Sequence, residues 1–283
     1  MGNPFTSISC AIREDNARVL TWTLQPGANY PPNFTLRVEN SRNGGDWEVI
    51  ADGLHDVCHY VDTRRRNYNK RMNESYRIRL LTPDKTYVSD IVDAGNYKAY
   101  PFSATAENVV KQLETTMKES GTPGVLVKRK RWGSKCPLCV DFSGQQTVNE
   151  HCPRCLGTGI DGGYFPGIPL SILKDNTTTQ EQTSEMGWLQ GETVQGRCIA
   201  WPWVCVEDVW VEDGTNKRYR INSVTPAASY KQTTLVYTVQ MHQLEYTDVL
   251  HSPEMDDKVR ETGMWESDEL PHRSSWDKEL EVL

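Results

Sequence analysis

No stretch of the 283-residue chain approaches roughly 18 consecutive apolar residues, so the sequence contains no candidate membrane-spanning helix. Residues 1–16 have neither the basic nor the apolar region of a secretory leader, so the expectation is synthesis in a cytosol and no membrane partner. Apolar residues are scarce, at 37% against roughly 45–50% in an average globular chain. With 24% charged residues the chain still lies outside the disordered class, and small, loop-rich domains are implied. At about 150 residues per domain the length suggests two. Cysteines number only 8, about 3%, too few for a disulfide-stapled secreted module. There is no basic excess: the net charge is −7, which argues against a protein built to coat nucleic acid. Residues 254–283 hold ten acids and four bases, so most of that acidity sits there and the rest of the chain is nearly neutral. Catalytic signatures are missing as well. The chain has no Gly-x-Ser-x-Gly elbow, phosphate-binding loop or His-Glu-x-x-His helix, and its six histidines (55, 59, 151, 242, 251, 272) form no familiar motif with carboxylates. The expectation is a protein that is not an enzyme.

What is present is a spacing. Cys136-Pro-Leu-Cys139, twelve residues, then Cys152-Pro-Arg-Cys155 make two Cys-x2-Cys knuckles. Each knuckle turns two thiolates toward one tetrahedral metal, and the second closes a shell of four that leaves no position for water. Cys136, Cys139, Cys152 and Cys155 are therefore the expected ligands of a structural Zn2+, with Gly157 and Gly159 supplying positive φ where the backbone turns back. Cys152–Gly159 resembles one repeat of the DnaJ-type chaperone zinc domains. Val140 and Asp141 stand where a second repeat needs its glycine pattern, so the resemblance implies one site and no chaperone. Gly157, Gly159 and Gly162 spell Gly-x-Gly-x-x-Gly, but they follow a knuckle rather than a strand and imply no dinucleotide. Of the other thiols, Cys198 and Cys205 lie in an apolar stretch and read as core residues. Cys10 and Cys58 could meet across neighbouring strands, and disulfides among these four stay open. His55, Cys58 and His59 fall on a strand pattern that scatters them over two faces.

Short alternating strands fill residues 6–95: Leu20–Leu24, Phe34–Val38, Trp47–Ile50, Val57–Val61, Tyr76–Leu80 and Tyr87–Val92. The Trp22 strand running into Pro26 and the Tyr76-x-Ile78-x-Leu80 strand resemble a fibronectin type III module, which implies an immunoglobulin-like sandwich over residues 1–100. Between 101 and 122, Val109, Val110, Leu113 and Met117 fall at helical spacing, with Glu107–Lys111 and Glu114–Lys118 as i,i+4 pairs and Gly121 as a stop, predicting a connecting helix. A second all-β domain is expected over 123–250, with a zinc ribbon inserted at 133–160. It has strands near 125–132, 197–211, 217–224 and 233–244, and a polar loop from Lys174 to Glu185. Residues 251–283 read as an acidic extended tail. The fold class is thus mainly β.

In the second half, the two knuckles, the Gly162-Gly-Tyr-Phe-Pro-Gly-Ile-Pro169 segment and the strands Arg218-Tyr-Arg-Ile221 and Val236-Tyr-Thr-Val-Gln-Met241 together resemble neck or head-to-tail connector proteins of tailed bacteriophages, over residues 125–251. The resemblance implies a structural virion protein of the neck or tail region. Its partners would be neck, portal or tail proteins, and it would form a homo-oligomeric ring. The alternatives are a surface adhesin or glycan-binding module using the fibronectin-like domain, and a zinc-ribbon nucleic-acid-binding protein; Trp201 and Trp203, on one face at period two, read as core or an interface anchor, with carbohydrate binding as their rival use. For the latter, the basic runs Arg64–Arg71 and Lys128–Arg131 could touch DNA phosphates or an acidic protein surface.

Overall fold

A computed structural model describes residues 3–12, 17–28, 30–64, 74–94, 104–139, 149–184, 187–215, 217–230 and 233–260. The first unit contains β1 (Phe5–Ile12), β2 (Arg18–Leu24), β3 (Thr35–Arg42), β4 (Glu48–Leu54), β5 (His59–Asp62), β6 (Glu74–Leu81), β7 (Thr86–Val88) and β8 (Val92–Ala94). One antiparallel sheet runs β1-β2-β5; the other runs β4-β3-β6-β7, with β8 also pairing β6. The period-two pattern decides which faces meet. Leu20, Trp22 and Leu24 of β2 pack on Leu36 and Val38 of β3 and on Tyr76, Ile78 and Leu80 of β6. Each fully buried side chain of this size is worth about 1.5–3 kcal/mol, so a one-residue slip that turned any of these strands over would be prohibitive. The buried Tyr76 hydroxyl donates to Asp62 Oδ2 at 2.9 Å and ties β6 to β5 across the two sheets.

Helix α1 (Ala104–Ser120) follows, and Val109, Leu113 and Met117, four residues apart, face the core of the second unit. That unit is a seven-stranded antiparallel sheet made of β9 (Gly124–Val127), β10 (Ile168–Pro169), β11 (Leu173–Ser184), β12 (Gly187–Ile199), β13 (Val209–Glu212), β14 (Arg218–Tyr230) and β15 (Thr233–Gln243), in the order β10-β9-β13-β14-β15-β12-β11. Strands β9 and β13 carry apolar residues on both faces because both are covered. Leu126, Trp210, Tyr219 and Ile221 face α1. Val125, Val127, Val209 and Val211 face Tyr164 and α2 (Pro253–Arg260). Gly124 is required where β9 crosses Trp210: a Cβ there would lie 2.5 Å from the Val211 carbonyl oxygen and 2.6 Å from the indole. The Trp210 indole in turn donates to the Leu170 carbonyl at 2.9 Å.

Several expectations change. The polar loop expected over 174–185 is instead β11, whose Thr-rich sequence suits a strand once β12 supplies its hydrogen bonds along Leu173–Ser184. The strand expected over 197–211 is two strands joined by residues 200–208, so Trp201 and Trp203 lie on a connection and strand alternation does not govern them. The stretch from His251, expected to be extended, forms α2 as far as Arg260. Met255 and Val259 are buried against the sheet, and fully buried Arg218 donates to the Leu250 carbonyl and to Asp256. Cys10 and Cys58 do not meet, because β2 lies between β1 and β5, and none of the eight cysteines forms a disulfide. No described helix is long and apolar enough to cross a membrane.

The first core is not confined to the first unit. Trp132 and Phe165, both beyond the connecting helix, are buried in it, with ring centroids 6.2 Å between Phe34 and Trp132 and 5.0 Å between Trp132 and Phe165.

Candidate metal centre

The chain leaving β9 pairs with the segment that follows the second knuckle. Phe165 N–H donates to the Lys128 carbonyl (2.9 Å), Lys130 N–H to Gly163 (3.0 Å) and Cys136 N–H to Gly159 (2.9 Å). This ladder brings Cys136 and Cys139, carried on the 3-10 turn Pro137–Cys139, over Cys152 and Cys155. Gly163 permits the close return, since at φ 63° a Cβ would stand 2.5 Å from the Cys155 carbonyl oxygen.

All four thiols are buried, and their sulfurs lie within 4.8 Å of one another. Cys136 Sγ and Cys152 Sγ are 3.9 Å apart, and Cys139 Sγ and Cys155 Sγ 3.5 Å. A disulfide needs about 2.05 Å. A tetrahedral shell with metal–sulfur bonds of about 2.3 Å has edges of about 3.8 Å, so the donor set fits a metal ion. Burial pushes the Cys155 thiol up to about 12 and raises that of Cys136. At Cys152 burial acts in the same direction, but hydrogen bonds from the backbone N–H groups of Cys155 and Arg154 outweigh it and bring the thiol down to about 7. Four adjacent buried thiolates therefore need a cation among them, and four sulfurs would leave that cation no open position for substrate or water.

Polar contacts fasten the centre to both units. Arg154 pairs with Asp161 just past the second knuckle, through contacts of 2.5 and 3.0 Å, and this holds the Asp161 carboxyl below the usual range. Toward the first unit, Ser134 Oγ donates to the Tyr30 carbonyl (2.9 Å), Gly27 N–H to Arg131 (3.1 Å) and Tyr30 N–H to Gly133 (3.4 Å). Buried Lys130 pairs with Asp56 at 2.5 Å.

The remaining candidates fall apart as sites. Among the described residues the four cysteines are the only metal-ligating cluster; His55 meets the Phe34 carbonyl, while His59 packs on Trp201 at 5.8 Å. The second basic run is consumed locally. Lys128 pairs with Asp208, Arg129 with Glu207 and Lys130 with Asp56, while Arg131 donates to the Val206 carbonyl. Of the first run, Arg64 binds Asp62, and residues 65–71 lie outside the described set. Trp210 is core, Trp201 is half-buried, and Trp203 is 40% exposed with Lys128 Nζ over its ring at 5.5 Å. Sequence reasoning missed Asp208, a buried hub that accepts from Lys128 Nζ (2.8 Å), Arg129 N–H (3.0 Å) and Cys205 N–H (2.9 Å). A lone aspartate 80 residues from its lysine carries no local signal.

Fold and site together define a mainly β protein of several antiparallel sheets with a four-cysteine cluster able to hold a metal ion. No protein-family model matches the chain, and no curated protein matches it. Among solved structures, a chain from the virion of a native gene transfer agent particle is similar at 10% identity and a TM-score of 0.27, covering 43% of this chain and 93% of that one. Likeness at that level carries no argument about fold or role.

Proposed function

We propose that the chain is a structural protein of a tailed-phage virion, joining head to tail in the neck through protein–protein contacts, with Zn2+ in the four-cysteine centre as an internal brace. The observation that carries the structural part is the position of the centre. Its closed set of four sulfurs lies on the segment that continues from β9, bonds to Tyr30 and sends Trp132 and Phe165 into the first core. A metal there would fix the two β units to each other with no open position for catalysis, which supports a structural role for this centre. The first unit's two facing sheets suit the fibronectin-like reading, in which such a module presents a surface or acts as a spacer. The neck assignment rests on the sequence resemblance over residues 125–251. Ion pairing of Lys128, Arg129 and Lys130 weakens the nucleic-acid alternative, since none of the three is left as a free phosphate ligand.

Electron microscopy of the purified full chain tests assembly, and metal analysis of the same sample tests the centre. Closed rings and about one zinc per chain are expected. A monodisperse monomer at high concentration refutes the ring. A metal-free chain that melts identically with and without added zinc refutes the brace.

A further inference from the structure

A cavity of about 250 Å³ opens between the two β units. It is smaller than the roughly 300–1,000 Å³ of sites for drug-sized molecules, so it suits one ring system with a short arm. Trp22, Trp132, Phe165, Trp201 and Trp203 line it, and aromatic walls favour a flat, apolar body. The polar groups among them decide what that body carries. Thr21 and Thr23 are hydrogen-bonded to Ser9 and Ser7 (2.5 and 2.6 Å), and Asp208 accepts from Lys128 and two backbone N–H groups. These groups therefore offer little to the many hydroxyls of a sugar.

Donors, by contrast, are in surplus. Trp22 is 2% exposed and its indole N–H has no acceptor among the described residues, although a buried indole ordinarily finds one. Lys128, Arg129 and Arg131 line the cavity against the single carboxylate of Asp208, which leaves the wall cationic. Lys128 is held by Asp208 and Arg129 by Glu207. Arg131 is exposed, donates to the Val206 carbonyl (2.7 Å) and has no carboxylate partner among the described residues. We propose that this cavity binds a small aromatic carboxylate, with its ring among the tryptophans and its carboxylate on the Arg131 guanidinium. The same carboxylate brings the class of acceptor that the Trp22 N–H lacks. Binding there neither requires nor excludes assembly into a ring.

Indole-3-acetate is the probe, titrated into the full chain by calorimetry beside neutral indole-3-acetamide and cationic tryptamine. For the acid, one site per chain with a Kd of about 1 mM or tighter is expected. The amide should bind about tenfold more weakly, the worth of one charge-assisted hydrogen bond, and tryptamine not at all. Arg131→Gln, or molar salt, should bring the acid down to the level of the amide and leave the amide unchanged. Trp203→Ala should weaken both, and Lys85→Glu, on the β6–β7 turn outside the cavity, should weaken neither. Circular dichroism confirms that each variant is folded. Cys205, a partly exposed thiol lining the cavity, locates the site, since the acid should slow its alkylation by N-ethylmaleimide. No binding of the acid at millimolar concentration, tryptamine binding as tightly as the acid, or an acid-to-amide ratio unchanged in Arg131→Gln overturns the proposal. Heat of binding without protection of Cys205 places the acid elsewhere and overturns it too.

Discussion

Replacing Asp208 with alanine is the sharpest test of what holds the junction between the β units. Asp208 is 1% exposed and accepts three hydrogen bonds, one from the Lys128 ammonium and two from backbone N–H groups. Burial works against the charge on Lys128, but Asp208 and, after it, the Cys205 and Cys58 thiols together more than offset it and hold the ammonium above the ordinary lysine range. Asp208→Ala strands that charge and two donors, a loss of about 3–5 kcal/mol when one member of a buried pair is removed. At about 2–4 °C per kcal/mol for a unit of this size, the melting temperature should fall by about 6–20 °C. Asp208→Asn keeps an acceptor for the backbone donors and loses the ion pair, so about 1.5–3 kcal/mol is expected. Lys128→Met added to Asp208→Ala removes the stranded charge and should recover part of the loss. Urea melts followed by near-ultraviolet circular dichroism measure the wild type, these three variants and Lys128→Met alone. A loss under about 1 kcal/mol for Asp208→Ala, or a double variant that merely adds the two single losses, refutes the reasoning.

The other predictions are simpler. Gly124→Ala should cost about 1–3 kcal/mol in a thermal melt, because its methyl must displace either the Val211 backbone or the Trp210 ring. Cys152→Ser should lose the zinc measured in the purified protein, and a strong chelator should lower the wild-type melting temperature while leaving that of Cys152→Ser unchanged. Burial, followed by the Arg218 cation, lowers the His251 pKa below 6.5, so the folded chain takes up this proton less readily than the unfolded one. Its contribution is complete above about pH 6.5 and is lost as pH falls from there through the folded value. His251→Gln should flatten that part of the stability profile, and melts between about pH 7.5 and 5.5 would show it.

The sequence was most readable where a local pattern forces a local structure. Alternation at Leu20, Trp22 and Leu24 marks a half-buried strand, Val109, Leu113 and Met117 mark a helix face, and the two Cys-x2-Cys knuckles mark a four-sulfur cluster before any coordinates are known. It was least readable where tertiary partners decide. Thr177–Ser184 looks like a loop until β12 pairs with it, and the acids around Met255 and Val259 hide a helix that forms because Arg218 and the sheet receive it. Asp208 and the aromatic cavity draw on residues up to about 200 positions apart, which no window along the chain can join.

The shared aromatic cluster also bears on how this architecture can be cut and recombined. A fragment ending at the connecting helix would leave Tyr30 and Phe34 facing solvent where Trp132 and Phe165 now cover them. The first β unit is therefore not an interchangeable cassette. Its lid is encoded some hundred residues downstream, inside the cysteine-bearing segment, so a graft onto another protein must carry that segment too. The order of synthesis is constrained in the same way: the first unit to leave the ribosome waits for the middle of the chain before its core can close.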